Sequence, residues 1–495
     1  MIALTLLIVQ IILIGYFLFF GAYNYIYSAA SLIDPKIPKT KIGNEKVAVV
    51  IVSFNENAVI EDTIKACEKL TYKNKTIIVG DDSNDNITYP LLQKIANEKN
   101  CKQSYDERFT NKGKTVLLES EQFVVFHRSN NEGFKAGNLK ELEKYLLARG
   151  FKHMFLLDAD YRPQKDSIER CLEVLNANKK LAFVQTKRTY SHPKLTYLQH
   201  CLAINEESCY IVDLPGRQST GDPILFTGCC TLFRLDYLVR AEGFRPGHLT
   251  EDIDLTNRLY LLGYKGTYLQ HTSSEGEVPP NYPAYRKQQE RWTMGTAHTL
   301  RDYFLPILKS KKLTIKEKLG LLRQDLYYSS AIAIELSILL SLPALLLLTA
   351  NTDVYQAIVY QYYLQFIGLP YTILLFAALL SNFAPLIITC IKKREWKDIP
   401  LIPYSTWISW SLLHTSFWAN VKGFLRIRQN WFLTPKTNRQ QIKITLRKSH
   451  HIKAFNAVTL ALLCTLYWLE WSHLGWLDPY AFFWVPSLII GIVHS

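Results

Sequence analysis

Asp252, within Thr250-Glu251-Asp252, and the Arg291-Trp292 pair that closes Gln288-Gln289-Glu290-Arg291-Trp292 are the residues of this chain best suited to act together on a substrate. A carboxylate can accept a hydroxyl proton. A guanidinium can balance a departing phosphate with its planar fork, and an indole face can carry the apolar face of a sugar ring. The sequence between them supplies one framework: a helix over residues 252–263, a short strand over 265–269 and a proline-containing loop over 277–283. That combination suits glycosyl transfer to a sugar hydroxyl.

Further sites stand where such a reaction needs them. Asp158-Ala159-Asp160 ends an apolar run and is followed by Tyr161-Arg162-Pro163. Carboxylates at alternate positions can share a divalent cation that bridges a diphosphate; the same pattern also serves as plain turn chemistry. Asp81-Asp82-Ser83 can accept the N–H of a uracil or guanine base, or simply cap a loop. The glycine-flanked Lys135, just before a helix, can reach a pyrophosphate or belong to a solvated helix cap. Residues 226–230 read as a buried strand of small residues, where a ligand could approach Cys229 or packing alone could account for the pattern.

The elements that must position these groups follow from the apolar pattern. Residues 47–52 form a continuous β-branched run, as in a strand buried on both faces. Residues 76–79, 123–126, 153–157 and 181–184 read as further strands, with helices over 57–70, 139–147 and 167–176 between them. This alternation predicts a mainly parallel sheet with right-handed crossovers. Ligands of such sheets sit beyond the carboxyl ends of the strands, where Asp81-Asp82 and Asp158–Asp160 fall.

Composition sets the surroundings. The 495 residues are 48% hydrophobic and 13% aromatic, too apolar and too unevenly patterned for one soluble domain. The net charge of +14 gathers beside apolar segments, which favours an anionic membrane surface over nucleic acid. Nine cysteines show no zinc-ligand spacing and read as reduced thiols. Residues 1–33 carry no charge, and Lys36, Lys39 and Lys41 follow, predicting an uncleaved anchor with its N-terminus outside. Thr314 with Glu317 predicts a capping box opening a surface helix. Spans are expected over 327–349, 364–391, 454–469 and 480–493, whereas 399–421, with basic flanks on both sides, reads as an interfacial or re-entrant helix.

Together these pieces resemble the processive, membrane-integrated family 2 glycosyltransferases, the group of cellulose, curdlan, mannan, chitin and hyaluronan synthases, over residues 47–436. Asp81-Asp82, Asp158-Ala159-Asp160, Thr250-Glu251-Asp252 and Gln288-Gln289-Glu290-Arg291-Trp292 occur in that family's order and spacing. The resemblance implies an α/β, Rossmann-like GT-A domain in the cytosol over residues 46–305. It also implies an α-helical transmembrane domain: a helix over 1–33, an interfacial helix over 306–325, and a region over 326–495 holding the interfacial 399–421 and a basic gating-type loop over 422–453. By the same resemblance Asp252 is the general base and Asp81 and Asp82 meet the nucleotide base. Asp158 and Asp160 handle diphosphate and Mg2+ or Mn2+, Gln288 and Arg291 hold the diphosphate, and Trp292 stacks under the acceptor. Lys135 joins the donor-binding residues and Cys229 the acceptor-binding ones. Residues 431–436 look like the F-x-V-T-x-K gating loop of cellulose synthases, so Thr434 and Lys436 would touch the donor diphosphate. Chitin and hyaluronan synthases usually follow the catalytic Asp with Arg; Ile253 stands here, which tilts the resemblance toward glucan, mannan and poly-N-acetylglucosamine synthases.

The expected function is therefore processive, inverting synthesis of a β-linked polysaccharide, passed through the enzyme's own helices in the plasma (inner) membrane. UDP-glucose is the first expected donor, ahead of GDP-mannose and UDP-N-acetylglucosamine. Expected partners are the growing polysaccharide, membrane lipids, and accessory secretion proteins or further copies of the chain, with no nucleic acid. A transferase adding one sugar to a lipid acceptor is the rival enzyme, and a nucleotide-sensing transporter or receptor the rival of another class.

Overall fold

The structure, a computed structural model, describes residues 2–104, 106–110, 115–190, 195–336, 369–427, 450–474 and 481–494. One ten-stranded mixed sheet organises the catalytic half. Its strands are β1 (Val47–Ser53), β2 (Lys75–Asp81), β3 (Lys102–Ser104), β4 (Thr115–Glu119), β5 (Phe123–Arg128), β6 (His153–Asp158), β7 (Arg162–Pro163), β8 (Leu181–Thr189), β9 (Thr231–Arg234) and β10 (Lys265–Glu275). They lie in the order β3-β4-β5-β2-β1-β6-β9-β8-β10-β7. β5, β2, β1 and β6 are parallel, as are β8 and β10. β9 runs antiparallel to both β6 and β8.

β1 shows why the central strands form. Alternate side chains leave a strand on opposite faces. Val47, Val49 and Ile51 join Ile60, Ile64 and Cys67 on one side, while Ala48, Val50 and Val52 join Leu139 and Leu142 on the other. Both faces are dry, so β-branched residues suit every position. Gly80 lets the helix Phe134–Ala148 come close to β2, since a Cβ there would lie 2.3 Å from Asn138 Oδ1.

Residues 226–230 are not a strand. Gly228 (φ 93°) and Cys230 (φ 57°) take left-handed conformations, and β9 begins only at Thr231. The buried Gln185 side chain on β8 causes this: its amide accepts from Thr227 N–H and donates to the carbonyls of Cys229 and Cys230.

The other half is helical. The helix Ile2–Ala30 packs on the helix Leu369–Leu380, where a Cβ on Gly21 would lie 3.0 Å from the Ala378 Cα. The capping box of Thr314 and Glu317 forms at the start of the helix Ile315–Asp325. Residues 399–421 are broken in two, the helices Ile402–Trp410 and Leu413–Phe424. Ser411 Oγ bonds back to the Ile408 carbonyl and meets the Tyr282 hydroxyl at that break. Among the described residues, Phe376–Lys393 is the one stretch long and apolar enough to cross a membrane; Ile452–Thr465 and Trp484–His494 are shorter apolar helices. Parts of the expected spans over 327–349 and 364–391 lie outside the described residues.

Candidate active site

The site gathers at the carboxyl end of β6, where Asp158 stands half-buried. Lys135, in the first turn of Phe134–Ala148, reaches over it. Its Nζ lies 2.7 Å from Asp158 Oδ1 and 3.2 Å from Glu251 Oε1, and donates to the Gly228 carbonyl at 2.8 Å. Burial alone would lower the lysine pKa, but Asp158 and Glu251 outweigh it and raise it. One ammonium thus ties together three elements distant in sequence.

Asp252 opens the helix Glu251–Leu262 beside this knot. Gly295 sets the helix's place: a Cβ there would fall 2.5 Å from Thr250 Cγ2, so the long helix Tyr282–Lys309 can lie against Thr250 only through a glycine. Asp252 Oδ2 faces Gly228, 3.4 Å from where a Cβ on that residue would lie. Burial, then the neighbouring Glu251 charge, push the Asp252 carboxyl up to about 7, against the pull of Lys135 and Arg188. A carboxylate tuned to neutral pH is suited to taking a proton from a hydroxyl.

Gln288, Arg291 and Trp292 lie at i, i+3 and i+4 along the long helix, one face of it. Arg291 answers electrostatically to Glu251, Asp252 and Asp158, although burial lowers its pKa overall. The Gln288 Oε1 is buried and accepts no hydrogen bond from the described residues. Trp292 is half-buried beside Arg291. Asp158, Glu251 and Asp252, with Lys135 and Arg291 answering to them, therefore converge on one place, and Gln288 and Trp292 share the helix face of Arg291.

Other expected residues are placed differently. Asp82 is buried with Arg128, whose Nε donates at 2.7 Å, and Asn138, whose Nδ2 donates to the same Oδ1 at 2.7 Å. Asp81 receives Ser83 Oγ at 2.6 Å and lies 2.7 Å from His127 Nδ1. The pair thus forms the floor at the β2 end, with its oxygens engaged inside the protein. Cys229 is wholly buried, its Sγ 3.4 Å from Cys230 Sγ, so it lies beneath the Gly228 turn. Asp160 is buried and its Oδ2 accepts from Glu277 N–H at 3.4 Å. Thr434 and Lys436 lie outside the described residues. Arg188, at the carboxyl end of β8 and next to the Gly228 turn, was not anticipated. The strand-end rule itself would have flagged it.

An α/β sheet with acidic groups, a lysine and an arginine converging beyond its strand ends is an arrangement that suits a GT-A-like glycosyltransferase. Residues 48–239 match the family model described as Glycosyl transferase family 2, and residues 153–390 that of Glycosyl transferase family group 2. The chain carries a family 2 glycosyltransferase domain and is an enzyme of that family. It is 28% identical to glucomannan 4-beta-mannosyltransferase 9 of Arabidopsis thaliana over 290 residues, 58% of this chain and 51% of that one. It is 30% identical to probable glucomannan 4-beta-mannosyltransferase 6 of Oryza sativa subsp. japonica over 275 residues, 55% and 45% of the two chains. The chain spans about half the length of the curated relatives it matches. A solved mannosyltransferase from Pyrobaculum calidifontis, in complex with GDP-Man and Mn2+, aligns with a TM-score of 0.49 at 16% identity, over 79% of this chain and 99% of that one.

Proposed function

We propose that this enzyme polymerises a β-linked polysaccharide from a nucleotide-sugar at a membrane face, with inversion at the anomeric carbon. The observation that carries the reading is the convergence of Asp252, tuned to about 7, with Asp158, Lys135 and Glu251. Asp252 takes the proton of the acceptor hydroxyl as that oxygen attacks the anomeric carbon. The bond to the nucleotide diphosphate breaks, and Lys135, Arg291 and Gln288 meet the charge that develops on it. Trp292 stacks under the acceptor sugar, and the Asp81-Asp82 floor frames the nucleotide base.

Asp158 and Asp160 fit a divalent cation such as Mg2+ or Mn2+. Their oxygens are hard donors, and Asp158 already attracts an ammonium at 2.7 Å. No group of three or more His, Cys, Asp or Glu among the described residues could hold a metal, so the donor diphosphate would complete the coordination. A bound cation would offset the charge of the leaving diphosphate.

The resemblance to glucomannan mannosyltransferases moves GDP-mannose ahead of UDP-glucose as the donor. The reading also places the helices of the chain in a membrane, with Phe376–Lys393 as one span and the catalytic half in the cytosol. Purified full-length protein in detergent or nanodiscs, offered each radiolabelled nucleotide-sugar in turn, is expected to release the nucleoside diphosphate and build polymer from one of them. Digestion of the product with linkage-specific glycosidases then reads the linkage. A single added sugar on a lipid would replace this reading with that of a non-processive transferase.

A further inference from the structure

Arg188 is a buried cation, 8% exposed, that makes no ion pair with a carboxylate among the described residues. The guanidinium sits 5.1 Å from the centre of the Tyr161 ring and 5.3 Å from that of Tyr210. Nη2 donates to the Thr227 carbonyl, while Nε is buried and has no hydrogen-bond partner among the described residues. A desolvated guanidinium costs several kcal/mol unless something answers its charge and donors. Two tyrosine faces and one carbonyl are partial answers.

Its position says what the rest of the answer is. Nη2 lies 3.6 Å from the point above Gly228 that Asp252 Oδ2 approaches to 3.4 Å, so the arginine and the general base flank the same small space. Glu206 stands one turn before Tyr210, in the helix Tyr197–Ser208 that continues into the π-helical turn Cys209–Asp213. Burial pushes its carboxyl up to about 7, against the pull of Arg188. Toward the helical half its neighbour is Tyr285, whose hydroxyl is raised by burial and, among its neighbours, by Glu206. Tyr285 lies 3.4 Å from Ser409 Oγ. Beside Asp252 there is thus a planar donor fork between two phenol rings, with a carboxyl group one helical turn before one of those rings.

This is what a sugar ring requires: donors and acceptors for adjacent hydroxyls, and apolar faces for its C–H groups. We propose that Arg188 and Glu206 form a second acceptor subsite, holding the penultimate sugar of the chain while Asp252 and Trp292 handle the terminal one. The subsite rests on the polysaccharide-synthase reading and deepens it. Its donors are satisfied only when a chain of two or more sugars is in place, so it selects for extension over initiation.

The test compares acceptors of different length. With GDP-mannose as donor, and UDP-glucose in parallel, kcat/KM is measured in the full chain for β-1,4-mannobiose and β-1,4-mannotetraose against mannose, or for the cello-oligosaccharides against glucose. The wild type is expected to favour the longer acceptors by about tenfold or more, a gain typical of one or two well-made hydrogen bonds. Arg188→Gln and Glu206→Gln are each expected to remove most of that preference, with the loss in KM for oligosaccharide, and Arg188→Lys to keep part of it. Nucleoside diphosphate affinity, titrated separately, should not follow the same pattern, which a merely structural role would not allow. No length preference in the wild type, or one that survives both substitutions, overturns the subsite while leaving the synthase reading standing. No nucleoside diphosphate release from any donor overturns the synthase reading, and the subsite with it.

Discussion

Lys135 and Asp158 join across the cleft, the ammonium 2.7 Å from the carboxylate, with Glu251 on the other side at 3.2 Å. In the proposed reaction this lysine meets the donor diphosphate, so removing it would expose the nucleotide to Asp158, Glu251 and Asp252 with less to offset them. Lys135→Ala is expected to weaken nucleoside diphosphate binding about 10–100-fold, the worth of a hydrogen bond to a charged group. Titration of GDP and UDP into the purified protein, with and without Mn2+, checks this. Unchanged affinity would leave Lys135 as a purely structural tie.

As the proposed general base, Asp252 is expected to set the pH dependence. A general base works only when deprotonated, and its carboxyl is held at about 7. The rate is therefore expected to be flat above that pH and to fall about tenfold per unit below it. Glu251 is the charge that raises the value after burial, so Glu251→Gln should move the limb to lower pH. Asp252→Asn should cost about 10²–10⁴-fold in turnover while nucleotide binding survives. A limb that stays put in both variants would assign the titration to another group.

The sheet was legible because parallel strands buried on both faces read as unbroken apolar runs, and β1, β2, β5, β6 and β8 all do. The charged site groups were legible because they fall at strand ends and helix starts. What escaped depends on contacts distant in sequence. The turn at Gly228 is bent by Gln185, 42 residues from Thr227. The engagement of Asp82 comes from Arg128, 46 residues away. The break at Ser411 is shared with Tyr282, 129 residues before it. Residues 226–230 read as a strand and 399–421 as one helix, because nothing nearby in sequence names the partners that the tertiary fold brings to them.

The Asp82–Arg128 pair is expected to be a matter of stability. Their side chains are 3% and 7% exposed, and the arginine also reaches the Glu132 carbonyl. Removing one partner leaves a buried charge uncompensated, which typically costs about 3–5 kcal/mol. Arg128→Met should therefore lower the melting temperature sharply at pH 7. Asp82→Asn, which keeps an acceptor for both neighbours, should lower it less. Thermal unfolding of the two variants in the same detergent ranks them, and an equal or reversed order would show that the carboxylate's charge, rather than its hydrogen bonds, is what Arg128 requires.

Gly423 is where the helix Leu413–Phe424 comes close to the long helix Tyr282–Lys309. A Cβ there would lie 2.3 Å from the Met294 carbonyl oxygen and 2.9 Å from Ala297 Cβ, on the long helix that carries Arg291 and Trp292 three and two residues before Met294. A backbone oxygen cannot swing aside as the end of a long side chain can, so the two helices must separate to admit a methyl group. Overpacking of this kind costs about 1–3 kcal/mol. Lys422, which lies 3.5 Å from Glu290, would be displaced with it. Gly423→Ala is thus expected to lower both melting temperature and turnover, and to act on acceptor KM more than on nucleotide affinity, because Trp292 moves while the β6 end stays. Turnover and acceptor KM at wild-type values in that variant would mean that the long helix holds its place on the sheet without help from Leu413–Phe424.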